Sequence, residues 1–191
     1  METISRIIKG CIEKEYKYQK LVYEVYRGYA AKIVFRYIYN YEKAGEVVND
    51  GFVNMFNHFE RFTMAASEVL NKKLLMGYIK RIMINASIDA LRRSSMLPEI
   101  GGFPTFVWEY TSREHDADQL LLYKQIIIMI KDLPPQYRII FNMYVIDGYS
   151  HREIAWILHI PEGSSKSNLS RAKAILREKI KKEEEILLCR I

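Results

Sequence analysis

Between Ser164 and Arg171 the chain reads Ser-Ser-Lys-Ser-Asn-Leu-Ser-Arg. Four hydroxyls, an amide and two cations in eight residues suit a surface that grips phosphates and hydrogen-bonds base edges. If the segment opens a helix, the free N–H groups of the first turn add to that chemistry. Bond-making chemistry has no comparable support. The histidines do not converge, since His151 and His159 stand eight residues apart across an expected helix. The cysteines, Cys11 and Cys189, form no CxxC pair, which suits a reducing compartment better than a disulfide framework or a zinc site. No paired-carboxylate metal motif, nucleophile constellation or Gly-rich phosphate loop stands in the chain. The expectation is therefore a binding protein with no catalytic residue, no metal and no cofactor.

The elements that would position this segment are legible. Ser150-His151-Arg152-Glu153 fits a capping box, in which Ser and Glu each bond the other's backbone N–H. A short helix over 150–158, a turn at Ile160-Pro161-Glu162-Gly163, and a long helix from Ser164 to about Glu185 form a helix-turn-helix pattern. In such units the N-terminal residues of the second helix enter the major groove. Upstream, a helix is expected over 120–130. Leu133-Pro134-Pro135 then stops and restarts the chain, and a further helix runs to about Ile146 before Asp147-Gly148.

The first half is helical as well. Val22, Val25, Tyr26, Tyr29, Ile33 and Tyr37 recur at helical steps, and Asn40 can cap the next helix. That helix, about Glu42 to Glu60, carries a buried stripe of Ala44, Val47, Val48, Met55 and Phe59. Glu46, Asn49, Asp50 and Val53 share a neighbouring face. Residues 61–73 read as irregular. A third long helix is expected from Leu74 to Ser94, with Tyr78, Ile79, Ile82, Met83, Ala86 and Ala90 on its apolar side. Eight of the 14 tyrosines fall between Tyr16 and Tyr41, and core packing with the hydroxyl at the surface explains them better than a base-stacking platform.

Charge divides the 191 residues further. The net charge is +6. Residues 1–93 carry 16 Lys/Arg against 10 Asp/Glu, residues 94–118 carry one against five, and residues 119–191 carry 12 against 8. The acidic interval also holds Pro98, Gly101, Gly102 and Pro104, which break helical periodicity. The expected architecture is all-α, with two small helical domains, 1–95 and 119–191, joined by an extended acidic linker over 96–118. The longest aliphatic run, Ile126 to Ile130, is far short of the roughly 20 apolar residues of a membrane span. The N-terminus lacks the apolar core of a signal peptide. No membrane insertion and a cytoplasmic, nucleoid-associated location are expected.

The chain resembles the extracytoplasmic-function (ECF) class of bacterial RNA polymerase sigma factors. The resemblance rests in the second half on Leu133-Pro134-Pro135-Gln136-Tyr137-Arg138, Asp147-Gly148-Tyr149-Ser150, Glu153-Ile154-Ala155, Pro161-Glu162-Gly163-Ser164 and Arg171-Ala172. In the first half it rests on Ala44 through Phe52, Tyr78 through Ile82, Asn85, Ile88-Asp89 and Leu91-Arg92-Arg93. It implies a sigma region 2 domain over 1–95, which binds the clamp helices of the polymerase largest subunit through Glu46, Asn49, Asp50 and Val53. That domain also opens −10 promoter DNA through Lys80, Arg81, Asn85, Asp89, Arg92 and Arg93, with the 61–73 segment where the family holds a flipped base. Phe62 is the only aromatic there, and the family's common Trp near the start of the third helix is Tyr78. The resemblance further implies a region 4 helix-turn-helix over 119–191, which binds the flap of the second-largest subunit. It would meet −35 DNA through Ser164, Ser165, Lys166, Ser167, Ser170 and Arg171. The linker would thread toward the RNA exit channel.

The chain departs from the family at His159, where Gly is common, at Ser165, where Val is common, and at Tyr144 and Asn168, which are often basic. These departures point to a weak hold on the −35 element or to recruitment by another protein. Members of the class are often held inactive by an anti-sigma factor, a further partner class. The competing reading is a free-standing helix-turn-helix regulator, which leaves the first-half motifs unexplained.

Overall fold

A computed structural model describes residues 2–93 and 125–188, with side chains described to residue 182. The chain divides into two compact units, residues 1–107 and 108–191, and among the described residues every regular element is helical. The expected linker over 96–118 lies outside the described residues. No helix among them is long and apolar enough to cross a membrane.

The first unit contains α1 (Ile4–Ile12), α2 (Tyr16–Phe35), α3 (Tyr41–Asn57), a 3-10 turn (Phe59–Arg61) and α4 (Glu68–Arg93). Helix α3 packs between α2 and α4, and α1 lies against both α2 and α4. The Asn40 side chain caps α3 by accepting from Lys43 N–H at 2.9 Å. The stripe of Ala44, Val47, Val48, Met55 and Phe59 is buried as expected. It meets Val22, Tyr26 and Ile33 of α2 and Leu75, Ile79 and Met83 of α4 in the core. Of the clustered tyrosines, Tyr18, Tyr26, Tyr37 and Tyr39 are core residues, while Tyr16 and Tyr41 are exposed.

Two expectations change here. Helix α1 was not anticipated. Thr3 caps it, with its hydroxyl accepting from Arg6 N–H. It buries Ile8 and Cys11 and brings Gly10 against the Tyr18 ring. Burial pushes the Cys11 thiol up to about 12, so it stays protonated and unreactive. Helix α4 begins at Glu68 rather than Leu74, because its first turns reverse the usual pattern. Val69, Leu70 and Leu74 face solvent while Asn71 is fully buried. The irregular segment therefore shrinks to residues 62–67.

The second unit contains α5 (helical over residues 125–131 of the described chain), α6 (Pro135–Phe141), α7 (His151–Leu158) and α8 (Glu162–Leu188). Helix α6 runs on as a π-helix over Asn142–Ile146. Its core gathers Ile127, Ile130, Leu133, Ile139, Ile140, Met143, Ile154, Leu169 and Ala172. Helices α6 and α7 both pack on α8. The buried Arg138 donates through Nη1 to the carbonyls of Lys131 and Leu133, closing the end of α5. Helix α8 starts two residues before the expected Ser164. The Pro161 carbonyl accepts from Ser164 and Ser165 N–H, so Glu162 and Gly163 already belong to its first turn.

Candidate nucleic-acid interface

Helix α7 and the start of α8 form the expected helix-turn-helix. The Ser150 hydroxyl accepts from Glu153 N–H at 3.2 Å, and the Glu153 carboxylate accepts from Ser150 N–H at 2.8 Å. The turn is made by His159 in the left-handed region, at φ 54° and ψ 46°. Helices commonly end this way, usually on Gly. Ile160 N–H reaches back to the Ala155 carbonyl at 3.1 Å.

Along α8, Lys166, Ser167, Ser170 and Arg171 are exposed and Ser164 is half-buried. The Ser167 hydroxyl donates to the Ser164 carbonyl at 3.1 Å. Lys166 Nζ lies 2.7 Å from the Glu162 carboxylate, one helical turn away. Its hydrogen bond and charge hold the Glu162 carboxyl below the ordinary range. One cation of the expected phosphate grip is thus already partnered.

Ser165 is not part of the presented face. It is completely buried, and its hydroxyl lies 2.9 Å from His151 Nδ1. This corrects the expectation that it reaches DNA: it ties α8 to the first residue of α7. Tyr144, set by the π-helix, stacks on the His151 ring with centroids 4.4 Å apart, and Lys173 Nζ lies 5.9 Å from the Tyr144 centroid. Burial, aided by Lys166, lowers the His151 pKa.

In the first unit, Glu46, Asn49, Asp50 and Val53 are all exposed on one side of α3. Lys43 bridges Glu46 at 2.6 Å, and the Tyr23 hydroxyl donates to Asn49 Oδ1 at 3.0 Å. On α4, Arg81, Asn85, Asp89, Arg92 and Arg93 are exposed at helical steps of three and four, and Lys80 is half-buried beside them. Asp89 and Arg92 approach to 3.4 Å, so this acid orients its neighbouring guanidinium.

The 62–67 segment lies just before α4. Its one aromatic, Phe62, is buried against Phe59 and Tyr78, with centroids at 5.7 and 5.4 Å. Tyr78 completes that cluster, and its hydroxyl donates to the His58 carbonyl at 3.3 Å. Both rings are thus used internally, and Thr63 and Ala66 are the segment's exposed residues before Ser67.

Residues 123–176 match the family described as sigma-70, region 4, and this span holds the whole helix-turn-helix. The likeness extends beyond it. The chain is 24% identical over 170 residues to the ECF RNA polymerase sigma factor SigW of Bacillus subtilis (strain 168), covering 84% of this chain and 87% of that protein. The similarity to an ECF sigma factor thus runs through both units and is not confined to the helix-turn-helix.

Two residues of consequence escape a reading of the sequence alone. Tyr23 lies on α2, twenty-six positions from the Asn49 it holds. Asn71 sits in the stretch that reads as irregular, yet it is buried. Neither has a local signal, because each acquires its role from a contact between separate elements. Among the described residues no group of three or more His, Cys, Asp or Glu side chains gathers as a metal site.

Proposed function

We propose that this chain is an ECF-type promoter-specificity subunit that binds core RNA polymerase, recognises promoter DNA and promotes its melting. The observation that carries the reading is the span of the likeness to SigW, which covers both units rather than the helix-turn-helix alone. Domains at 1–95 and 119–191 with a linker over 96–118 fit that reading. The exposed face of Glu46, Asn49, Asp50 and Val53 docks on the clamp helices of the largest subunit. Lys80, Arg81, Asn85, Asp89, Arg92 and Arg93 face −10 DNA, with cations for phosphates and Asn85 for a base edge. The 62–67 segment stands where the family captures a flipped base, and unstacking it costs a few kcal/mol that the bound state must offset. Ser164, Lys166, Ser167, Ser170 and Arg171 face −35 DNA, while the rest of the second unit meets the flap. The protein works in the cytoplasm and supplies binding energy rather than bond chemistry.

A second reading concerns recruitment. Burial of Ser165 and pairing of Lys166 with Glu162 leave a smaller polar grip at the start of α8. This favours a region 4 that holds the −35 element weakly and relies on another protein for recruitment.

The decisive experiment mixes purified chain, core polymerase and a library of promoter fragments, followed by sequencing of the transcripts. Initiation at new sites only when both chain and core are present is the expected result. Tight sequence-specific binding without core, with no initiation when core is added, overturns the reading in favour of a free-standing regulator.

A further inference from the structure

Asn71 commits its whole side chain to the backbone of one residue and to one hydroxyl. Its Oδ1 accepts from Ala65 N–H at 2.7 Å, and its Nδ2 donates to the Ala65 carbonyl at 3.0 Å and to Ser5 Oγ at 2.9 Å. The residue is 0% exposed. Burying an amide is costly unless its groups are paired, and here every hydrogen bond runs to the 62–67 segment or to α1. The junction is reinforced on both sides. Ser5 N–H donates to the Glu68 carboxylate at 3.1 Å, and Asn71 N–H donates to the Ser67 carbonyl at 2.8 Å. At the other end of the segment, Phe62 is fixed among Phe59 and Tyr78. Six residues are therefore pinned at their first and fourth positions, and between the pins lies a two-residue crest, the exposed Thr63 and the half-buried Met64.

We infer that Asn71 and Ser5 are positioning residues for promoter discrimination: they hold Ala65 so that Thr63 and Met64 meet the opened DNA strand in a preset geometry. The inference rests on the proposed placement of this segment at the −10 element. Its physical basis is preorganisation. A segment already in its bound shape loses less conformational freedom on binding, and a contact held in place separates right from wrong bases more sharply than one that adapts. It also gives α1 a task. The helix acts as a strut whose first turn reaches the segment through Ser5, while its far end is seated against Tyr18.

The test uses holoenzyme assembled from core polymerase and full-length chain on a promoter library randomised across the −10 and −35 elements. The variants are Asn71→Leu, Asn71→Asp, Ser5→Ala and the crest pair Thr63→Ala and Met64→Ala. Asn71→Leu keeps the branched heavy-atom outline and removes all three bonds. Its expected effect is a three- to tenfold loss of discrimination between best and worst base within −10. Affinity for core should stay within twofold and −35 preference should not change. Ser5→Ala should give a smaller loss in the same direction, and Asn71→Asp, which keeps the acceptor for Ala65 N–H, an intermediate one. If Asn71→Leu fails to fold by circular dichroism, Ser5→Ala and Asn71→Asp decide the matter. An unaltered −10 profile in folded Asn71 and Ser5 variants, with the profile changed by the crest variants, overturns the positioning role alone. An unaltered profile in the crest variants as well overturns the placement of the segment at DNA, and the inference with it.

Discussion

The Tyr23 hydroxyl donates to Asn49 Oδ1 across the gap between α2 and α3. The Tyr23 ring is set edge-on against Phe52, with centroids 5.1 Å apart. A core-anchored ring therefore orients an exposed amide, turning its N–H donors away from Tyr23. Tyr23→Phe keeps the ring and removes the bond. Its expected effect is about a threefold loss of affinity for core polymerase, the scale of one net hydrogen bond, in a titration of fluorescently labelled chain. The same change made on an Asn49→Ala background should have no further effect.

Ser165 and Arg171 lie on one helix and should fail in opposite ways. Ser165→Ala removes the bond to His151 and should lower the stability of the second unit by about 1 kcal/mol. Binding of upstream promoter DNA by the holoenzyme should hardly change. Arg171→Ala should leave stability alone, weaken that binding and reduce its logarithmic salt slope by about one. Thermal melts and DNA titrations at several salt concentrations separate the two outcomes.

Protonation of His151 should loosen the same junction. Its pKa is depressed in the fold, chiefly by burial and then by Lys166, so the unfolded chain binds a proton more readily than the native one. Stability then rises with pH across this window and is lost as pH falls below the ordinary histidine value of about 6.5 toward the lowered one. The imidazole should titrate below 6.5 in proton NMR of the full chain. His151→Gln should flatten the acid side of the second unit's stability profile.

His159 sits in a conformation that costs an L-residue about 1–2 kcal/mol. Glycine removes that strain while giving back roughly 0.5–1 kcal/mol as chain entropy. His159→Gly should therefore stabilise the helix-turn-helix slightly, by about 0.5 kcal/mol, and His159→Val should weaken it by more than that. Denaturant midpoints for the second unit's transition provide the comparison.

Gly10 leaves no room for any side chain. A Cβ there would fall 1.9 Å from Cδ2 of Tyr18, within the ring rather than at a flexible tip. Gly10→Ala should cost on the order of 1–3 kcal/mol by forcing α1 off α2. Amide hydrogen exchange should show α1 losing protection first. Gly77, with open space around it, is the matched control, because Gly77→Ala in mid-α4 should be neutral or stabilising.

What was legible in the sequence follows local physics. The caps at Asn40 and Ser150 and the stripe from Ala44 to Phe59 each depend on neighbours within a helical turn or two. The departures came where distant segments decide the outcome. Helix α4 starts early because Asn71 looks inward to Ala65 and Ser5, which no periodicity within 68–74 reveals. Ser165 looks like its neighbours Ser164 and Ser167 in composition, and only packing against His151 separates them. Helix α1 is short, and its placement depends on Gly10 meeting Tyr18. The exposure of Glu46, Asn49, Asp50 and Val53 on a single face, by contrast, followed from spacing alone.

The grip of Arg138 on the end of α5 bears on the order in which the second unit assembles. The two carbonyls it holds lie seven and five residues upstream. Contacts so close in sequence sacrifice little loop entropy and form quickly. Helix α5, the Pro134-Pro135 corner and the first turn of α6 can thus come together as one early hairpin. The long α8, whose Leu169 and Ala172 must find partners across the chain, then docks on a platform that already exists. On this timetable a side chain that contributes a positive charge to the composition serves the packing of α8.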